Sequence, residues 1–113
     1  MKLAIIGSRC LRVNDLIKYV PKETSEIVSG GAKGIDSDAA SLARENGLKL
    51  TEFLPNYEKY GRAAPIRRND LIAEYADEGL AFWDGKSKGT LYTINRFKKL
   101  GKKITVIKTG PKD

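Results

Sequence analysis

The chain contains no histidine and a single cysteine, Cys10. Imidazole acid–base chemistry, the usual Cys/His zinc sites and an internal disulfide are all excluded, and no metal or cofactor is expected. Cys10 lies beside Arg9 but, following a first strand, reads as a packing residue. Long apolar runs are also missing. The longest are strand-sized, such as residues 3–6, so no membrane span or signal-peptide core is expected behind Lys2 and the location is read as cytoplasmic. At 113 residues the length fits one domain.

Acidic residues are scarce in one place. The formal net charge is +7, yet residues 1–95 carry 14 Lys/Arg against 13 Asp/Glu, whereas residues 96–113 carry 7 against Asp113 alone. The body is nearly neutral and the C-terminus is basic. Lys98, Lys99, Lys102 and Lys103 suit a helix C-terminus electrostatically and read first as a solvated face, with a nucleic-acid patch as the alternative.

What the chain does have is glycine followed by hydroxyls. Residues 27–36 read as a short apolar strand, a glycine turn through Gly30, Gly31 and Gly34, and the start of a helix at Asp36, which is expected to act as its cap. Such a turn brings backbone N–H groups close to a ligand, and the dipole of the helix that follows favours an anion.

In chain order, residues 2–6 form a buried strand and a short helix begins at Asn14 or Asp15, turning Leu16, Ile17 and Val20 inward before Pro21. A second strand covers 26–29, and a helix runs over 36–46 to Gly47. A third strand over 48–54 empties into a loop at 55–63 holding Tyr57 and Tyr60. The next helix, 64–75 with Pro65 in its first turn, is expected to bury Ile66, Leu71 and Ile72. A strand at 79–83 leads to a second glycine-hydroxyl loop, 84–90. A last helix points Leu91, Ile94, Phe97 and Leu100 inward, and strand 103–108 ends the fold. Residues 1–108 form the domain, and 109–113 are expected to fray.

Strands alternating with helices imply an α/β Rossmann-like three-layer sandwich, a five-stranded parallel sheet of order 3-2-1-4-5 with helices on both faces. In such sheets ligands bind beyond the carboxyl ends of the strands. The loops at that edge hold Gly7, Ser8 and Arg9, then Ser29 to Gly34, the two tyrosines, and Asp84 to Thr90, whereas the opposite links are plain. The favoured ligand is therefore anionic, most simply a phosphate, with Arg9 or Arg68 as its charged partner. Two nucleotide motifs fail. The turn lacks the Gly-Lys-Ser/Thr ending of a P-loop, and Ser29 stands where a dinucleotide fingerprint needs its first glycine.

Taken together, Gly7-Ser8-Arg9, Ser29-Gly30-Gly31-Ala32-Lys33-Gly34-Ile35-Asp36, the loop from Pro55 to Gly61, Arg68-Asn69, Ala76-Asp77 and the run from Trp83 to Thr90 resemble the SMF/LOG (SLOG) superfamily. Within it the pattern is similar to the small single-domain YspA/YpsA-like group. The resemblance covers about residues 3–107 and implies binding of a nucleotide or nucleotide-derived ligand, by a sensor or a weakly active domain. The wall residues it points to are Gly7, Ser8, Arg9, Ser29, Gly30, Gly31, Gly34 and Asp36 on one side. Arg68, Asn69, Asp84, Ser87, Gly89 and Thr90 stand on the other.

Two branches imply alternatives. LOG phosphoribohydrolases cleave the N-glycosidic bond of nucleoside 5′-monophosphates with an arginine and the glutamate of a Pro-Gly-Gly-x-Gly-Thr-x-x-Glu segment. Here Arg68 matches the arginine, as the one candidate catalytic residue, but Thr93 stands in the glutamate position. A hydroxyl cannot replace that carboxylate, which leaves Asp36 and Asp84 as acids with simpler roles as cap and turn residues. The SMF/DprA branch has a similar Rossmann-like core that binds single-stranded DNA; Gly31 and the absence of a histidine after Asp36 depart from its pattern. The expected partners are thus a nucleotide-type small molecule, with nucleic acid through the basic C-terminal face as the alternative, no membrane, and a homodimer left open.

Overall fold

A computed structural model of the chain describes residues 1–8, 11–32 and 34–109. The expectations for Arg9, Cys10, Lys33 and the end of the tail lie outside the described residues. The strands are β1 (Lys2–Gly7), β2 (Glu26–Ser29), β3 (Lys49–Glu52), β4 (Glu78–Trp83) and β5 (Ile104–Lys108). Between them run α1 (Ile35–Glu45), the one-turn α2 (Tyr57–Tyr60), α3 (Ala64–Tyr75) and α4 (Lys88–Lys99). All strand pairs are parallel and the sheet order is β3-β2-β1-β4-β5, as expected from the sequence.

The pleat divides the core. Leu3, Ile5, Ile27, Leu80 and Phe82 point to one face, where α1 and a 3-10 turn at Leu16–Tyr19 cover them with Ile35, Ala39, Leu42 and Leu16. Ala4, Ile6, Val28 and Ala81 point to the other, packed by Ile72, Ala73 and Ala76 with α3 and by Ile94 and Phe97 of α4. Alanine on β1 and β4 lets the two helices sit close to the sheet.

Several inward faces differ from the sequence reading. The helix expected after Asn14 is a 3-10 turn with no side-chain cap; it buries Leu16 and leaves Ile17 52% exposed. Helix α1 starts one residue early, with Gly34 in the cap position, so Asp36 is not the cap. Strand β3 is shorter than expected, and the loop at 55–63 is largely helical, as α2 and a 3-10 turn at Gly61–Ala63. Asn56 starts α2 by accepting the Lys59 N–H at 3.1 Å. On α3, Ile66 and Leu71 are exposed and Ala64, Ile72 and Ala73 are buried; on α4, Leu91 and Leu100 are exposed and Thr93 joins Ile94 and Phe97 inside. No helix among the described residues is long and apolar enough to cross a membrane.

The amino-edge of the sheet is tied down by charge. Glu26, buried at the start of β2, accepts hydrogen bonds from Tyr75 Oη at 2.6 Å and Thr51 Oγ1 at 2.7 Å, joining β2, β3 and α3. Burial alone would push this carboxyl up, but the two hydrogen bonds and the charges of Lys49 and Lys2 outweigh it and hold it below its ordinary value. Lys102, between α4 and β5, donates to the carbonyls of Ala73, Glu74 and Ala76 at 2.7–2.8 Å, capping the C-terminus of α3. Lys103 lies 3.8 Å from Glu78, and Arg96 pairs with Asp70 and Glu74 at 3.5 Å each. Much of the basic C-terminal run is therefore architectural.

Lys102→Met is expected to lower stability by about 2 kcal/mol, since it orphans three helix-end carbonyls, whereas Lys98→Met should stay within about 0.5 kcal/mol. Urea unfolding of the two variants distinguishes them, and equal losses would contradict the capping role. Because the Glu26 carboxyl is held below 4.5 in the folded chain, its contribution is full above that pH and fades as the pH falls through and below it. The stability gap between the native chain and Glu26→Gln should therefore narrow from about pH 7 toward about pH 3. A gap that stays constant would show that Glu26 is not the linked group.

Candidate functional site

Three strand ends and the head of α3 enclose a cleft of about 210 Å³. Gly7 ends β1 tight against α1: a Cβ there would lie 2.5 Å from Ile35 Cγ1. After β2 the chain turns through Gly30, Gly31 and Gly34, the last two at φ of 69° and 75°, which only glycine adopts without strain. The turn closes largely on itself. Gly31 N–H donates to Ser29 Oγ at 3.3 Å, and Ala32 N–H donates to the Asp36 carboxylate at 3.0 Å. Asp36 thus serves the turn in front of the helix and is one of the residues lining the cleft. Burial is the largest influence on its carboxyl and pushes it above the ordinary range. The nearby Glu52 adds to that, while the Ala32 N–H and the Arg68 charge pull the other way without cancelling it.

The loop after β4 is built differently. Asp84 Oδ1 accepts the N–H groups of Lys86 and Ser87 at 2.8 Å each, which, first among its influences, hold this carboxyl below its ordinary range. Ser8 Oγ accepts the Asp84 N–H at 3.5 Å from behind, and Trp83 Nε1 donates to the Ser87 carbonyl at 3.0 Å. Ser87 then caps α4, taking the Thr90 N–H at 3.4 Å. The N–H groups of Lys88 and Gly89 have no protein partner among the described residues, as the geometry of a helix start dictates. Thr93, buried below, donates its hydroxyl to the Gly89 carbonyl at 2.9 Å.

Arg68 crosses from α3 to the glycine turn. Its Nη1 donates to the Gly30 carbonyl at 2.7 Å and its Nε to Asn69 Oδ1 at 3.0 Å. Of the five guanidinium N–H groups, these use two. A Cβ on Gly30 would collide with the guanidinium, so the missing side chain is what admits Arg68.

Of the residues singled out in the sequence, Gly7, Gly30, Asp36, Arg68, Asn69, Ser87, Gly89 and Thr90 line this one cleft. Ser8 and Ser29 are buried behind it, Gly31 and Gly34 shape the turn, and Asp84 organises its loop. None of these five lines it. Ile6, Ala32, Pro65, Ile72 and Thr93 also line the cleft but were not among the wall residues. Ile6 and Ile72 had read as core, and Thr93 lies one turn below Gly89 and Thr90, a helical spacing that points to the same wall. A wider groove of about 530 Å³ lies between the 3-10 turn and α1, away from the strand ends, and no Lys or Arg lines it.

No family model matches the chain. It is 36% identical over 92 residues to the Gene 61 protein of Mycobacterium phage D29, an alignment covering 76% of this chain and 72% of the phage protein. The chain belongs to the gene 61 protein family. The fold of this family member superposes on the X-ray structure of DNA processing protein A (DprA) from Streptococcus pneumoniae with a TM-score of 0.77 over 99% of the chain. At 23% identity that likeness establishes a shared Rossmann-like fold, and the chain spans about half of DprA, 52%.

Gly30→Ala tests how this gene 61 family member seats its arginine. Gly30 is not in the left-handed region, so alanine is expected to change stability by no more than about 1 kcal/mol while displacing the Arg68 guanidinium. The Arg68 Nε–H resonance should shift; an unchanged resonance would contradict the contact.

Proposed function

We propose that the cleft binds the phosphate of a nucleotide or nucleotide-derived ligand. The observation that carries this reading is the pairing of a guanidinium with spare donors and a Gly89 N–H that has no partner among the described residues, both lining one small cleft. A planar cation and a helix N-terminus are the two devices proteins most often turn toward phosphate. The motif resemblance to the YspA-like group and the LOG branch supports the same ligand class. The hydrolytic version of this reading is weaker, because the Thr93 hydroxyl is engaged by Gly89 and Asp84 by its own loop.

A second reading, binding of single-stranded nucleic acid, is favoured by the distribution of charge together with the likeness to a DNA processing protein. Lys59, Arg62, Arg67, Lys86 and Lys88 are exposed on the loops and first helical turns beyond the strand ends, and none is in an ion pair among the described residues. At the opposite edge Arg96, Lys102 and Lys103 are engaged, and Lys98 and Lys99 are exposed with no ion pair among the described residues. The rim of the cleft is the face for a strand on this reading, because there exposed aromatics, Tyr57 and Tyr60, lie beside the cations.

Thermal unfolding with AMP at about 1 mM tests the first reading: saturation at 100-fold over Kd adds about 2.7 kcal/mol. The melting temperature should rise in the native chain and not in Arg68→Ala. If no phosphate-bearing ligand raises it, the reading falls. An oligonucleotide added in increasing salt tests the second. Its binding should weaken steeply with salt and depend on Lys86 and Lys88, not on Lys98 and Lys99.

A further inference from the structure

The two outer strands of the sheet are finished differently. Strand β3 is short, carries Lys49 and Glu52 at its ends, and has Lys49 and Thr51 drawn to Glu26 on β2. Strand β5 is longer and is built from an unbroken run of β-branched residues, Ile104, Thr105, Val106 and Ile107, the type best suited to a strand. Its inner side is bonded to β4. At the two ends of that ladder the Gly79 N–H donates to the Lys103 carbonyl at 2.9 Å and the Thr109 N–H to the Trp83 carbonyl at 2.8 Å. Successive residues of a strand turn their N–H and C=O groups to opposite neighbours, so Thr105 and Ile107 bond inward while Ile104, Val106 and Lys108 present theirs to the open side. No described residue bonds to these outward groups.

The side chains along this edge specify what suits it. Ile107 packs with the α1 side of the core and Ile104 with the α4 side, so Val106 and Lys108 share the α4 side with Ile104. Val106, in the middle of the strand, is 37% exposed. No Asp or Glu stands between Asp84 and Asp113, a stretch that includes all of α4 and β5. Lys98, Lys99 and Lys108 within it are exposed and in no ion pair among the described residues. Glu78 on β4 is already taken by Lys103. On the α1 side a depression of about 370 Å³ lies beside β5, with Tyr19, Phe82 and Ile107 as apolar lining and Arg12, Asp15 and Lys18 as its charged groups. Lysines at both ends of an edge strand oppose pairing with a second copy, which would gather the lysines of both along one seam. The same lysines attract a strand of opposite charge.

We propose that β5 is a docking edge, to which an extended acidic segment of a partner protein adds as a further strand of the sheet. Main-chain hydrogen bonds to Ile104, Val106 and Lys108 hold it, its acids meet the lysines on the α4 side, and an apolar side chain on the other face enters the depression beside Ile107. This surface is separate from the strand-end cleft and does not depend on what the cleft binds.

A capped peptide of alternating Glu and Val, titrated into the isotope-labelled full chain and followed by NMR, tests the proposal. At up to about 1 mM it should shift the amide resonances of Ile104, Val106 and Lys108 and slow their exchange with solvent, while Thr105 and Ile107, already bonded to β4, move less. A Lys/Val peptide of the same length should bind about tenfold or more weakly. No shift at the three outward amides, or equal binding of the two peptides, would overturn the proposal.

Val106→Pro removes one outward N–H and no bond to β4, so the chain should fold and lose about tenfold or more in affinity for the Glu/Val peptide. Lys108→Glu leaves the backbone edge intact and should lose about fivefold, and it decides the matter even where the proline variant does not fold. Full affinity in Lys108→Glu would overturn the acidic partner. Protection of the three amides that grows with protein concentration in the absence of peptide would assign the edge to a second copy, and the same shifts produced by a single-stranded oligonucleotide would assign it to nucleic acid. Either result overturns the proposal.

Discussion

Every strand of this sheet runs the same way, and the arrangement of the molecule follows from that. A parallel pair cannot be closed by a tight turn, so each strand must leave at one edge and its successor enter at the other. All the loops that follow strands are thereby gathered together, although they are separated by tens of residues in the chain. Gly30 comes to lie under Arg68, and Ser8 behind Asp84, through no local preference of their own.

The two edges then diverge in character. The amino-edge is consolidated by interactions that satisfy charge: Glu26 with Tyr75 and Thr51, Asp77 with the Lys2 N–H at 2.8 Å, and the Lys102 ammonium among three carbonyls. At the carboxyl-edge several cations are in no ion pair among the described residues, and the first amides of helix α4 have no partner among them either. A neutral body with a basic tail is thus a misleading description in three dimensions. Part of the tail is bound up in holding helices, and the exposed positive charge is shared between the body and Lys98, Lys99 and Lys108.

The strand–helix alternation made the parallel sheet, β2 and α3 legible from the sequence, because a parallel sheet with helical crossovers admits few arrangements, and the expected order is the one observed. The inward faces of the helices were less legible. Periodicity states which residues share a stripe, but not whether a neighbour covers it. Ile66, Leu71 and Leu91 continue apolar stripes yet stay exposed, and Thr93 is buried although it is polar. The loop at 55–63 hid a helix only one turn long, too short for any period to show. Asp36 read as a cap from its position next to a helical pattern; only the three-dimensional turn reveals that its carboxylate reaches back to Ala32. Similarly, the role of Gly30 depends on a side chain 38 residues away.

Helix α3 is held at one end and works at the other. Its foot is clamped by the Lys102 ammonium, and its head carries Arg68 about 12 Å away at the helical rise per residue. The helix therefore behaves as a lever with a fixed fulcrum. A tilt of about 5° at the foot moves the guanidinium by about 1 Å, the scale on which a polar site is either assembled or lost. The position of the guanidinium is thus fixed from two ends, by the Gly30 carbonyl at the head of α3 and by the clamp at its foot.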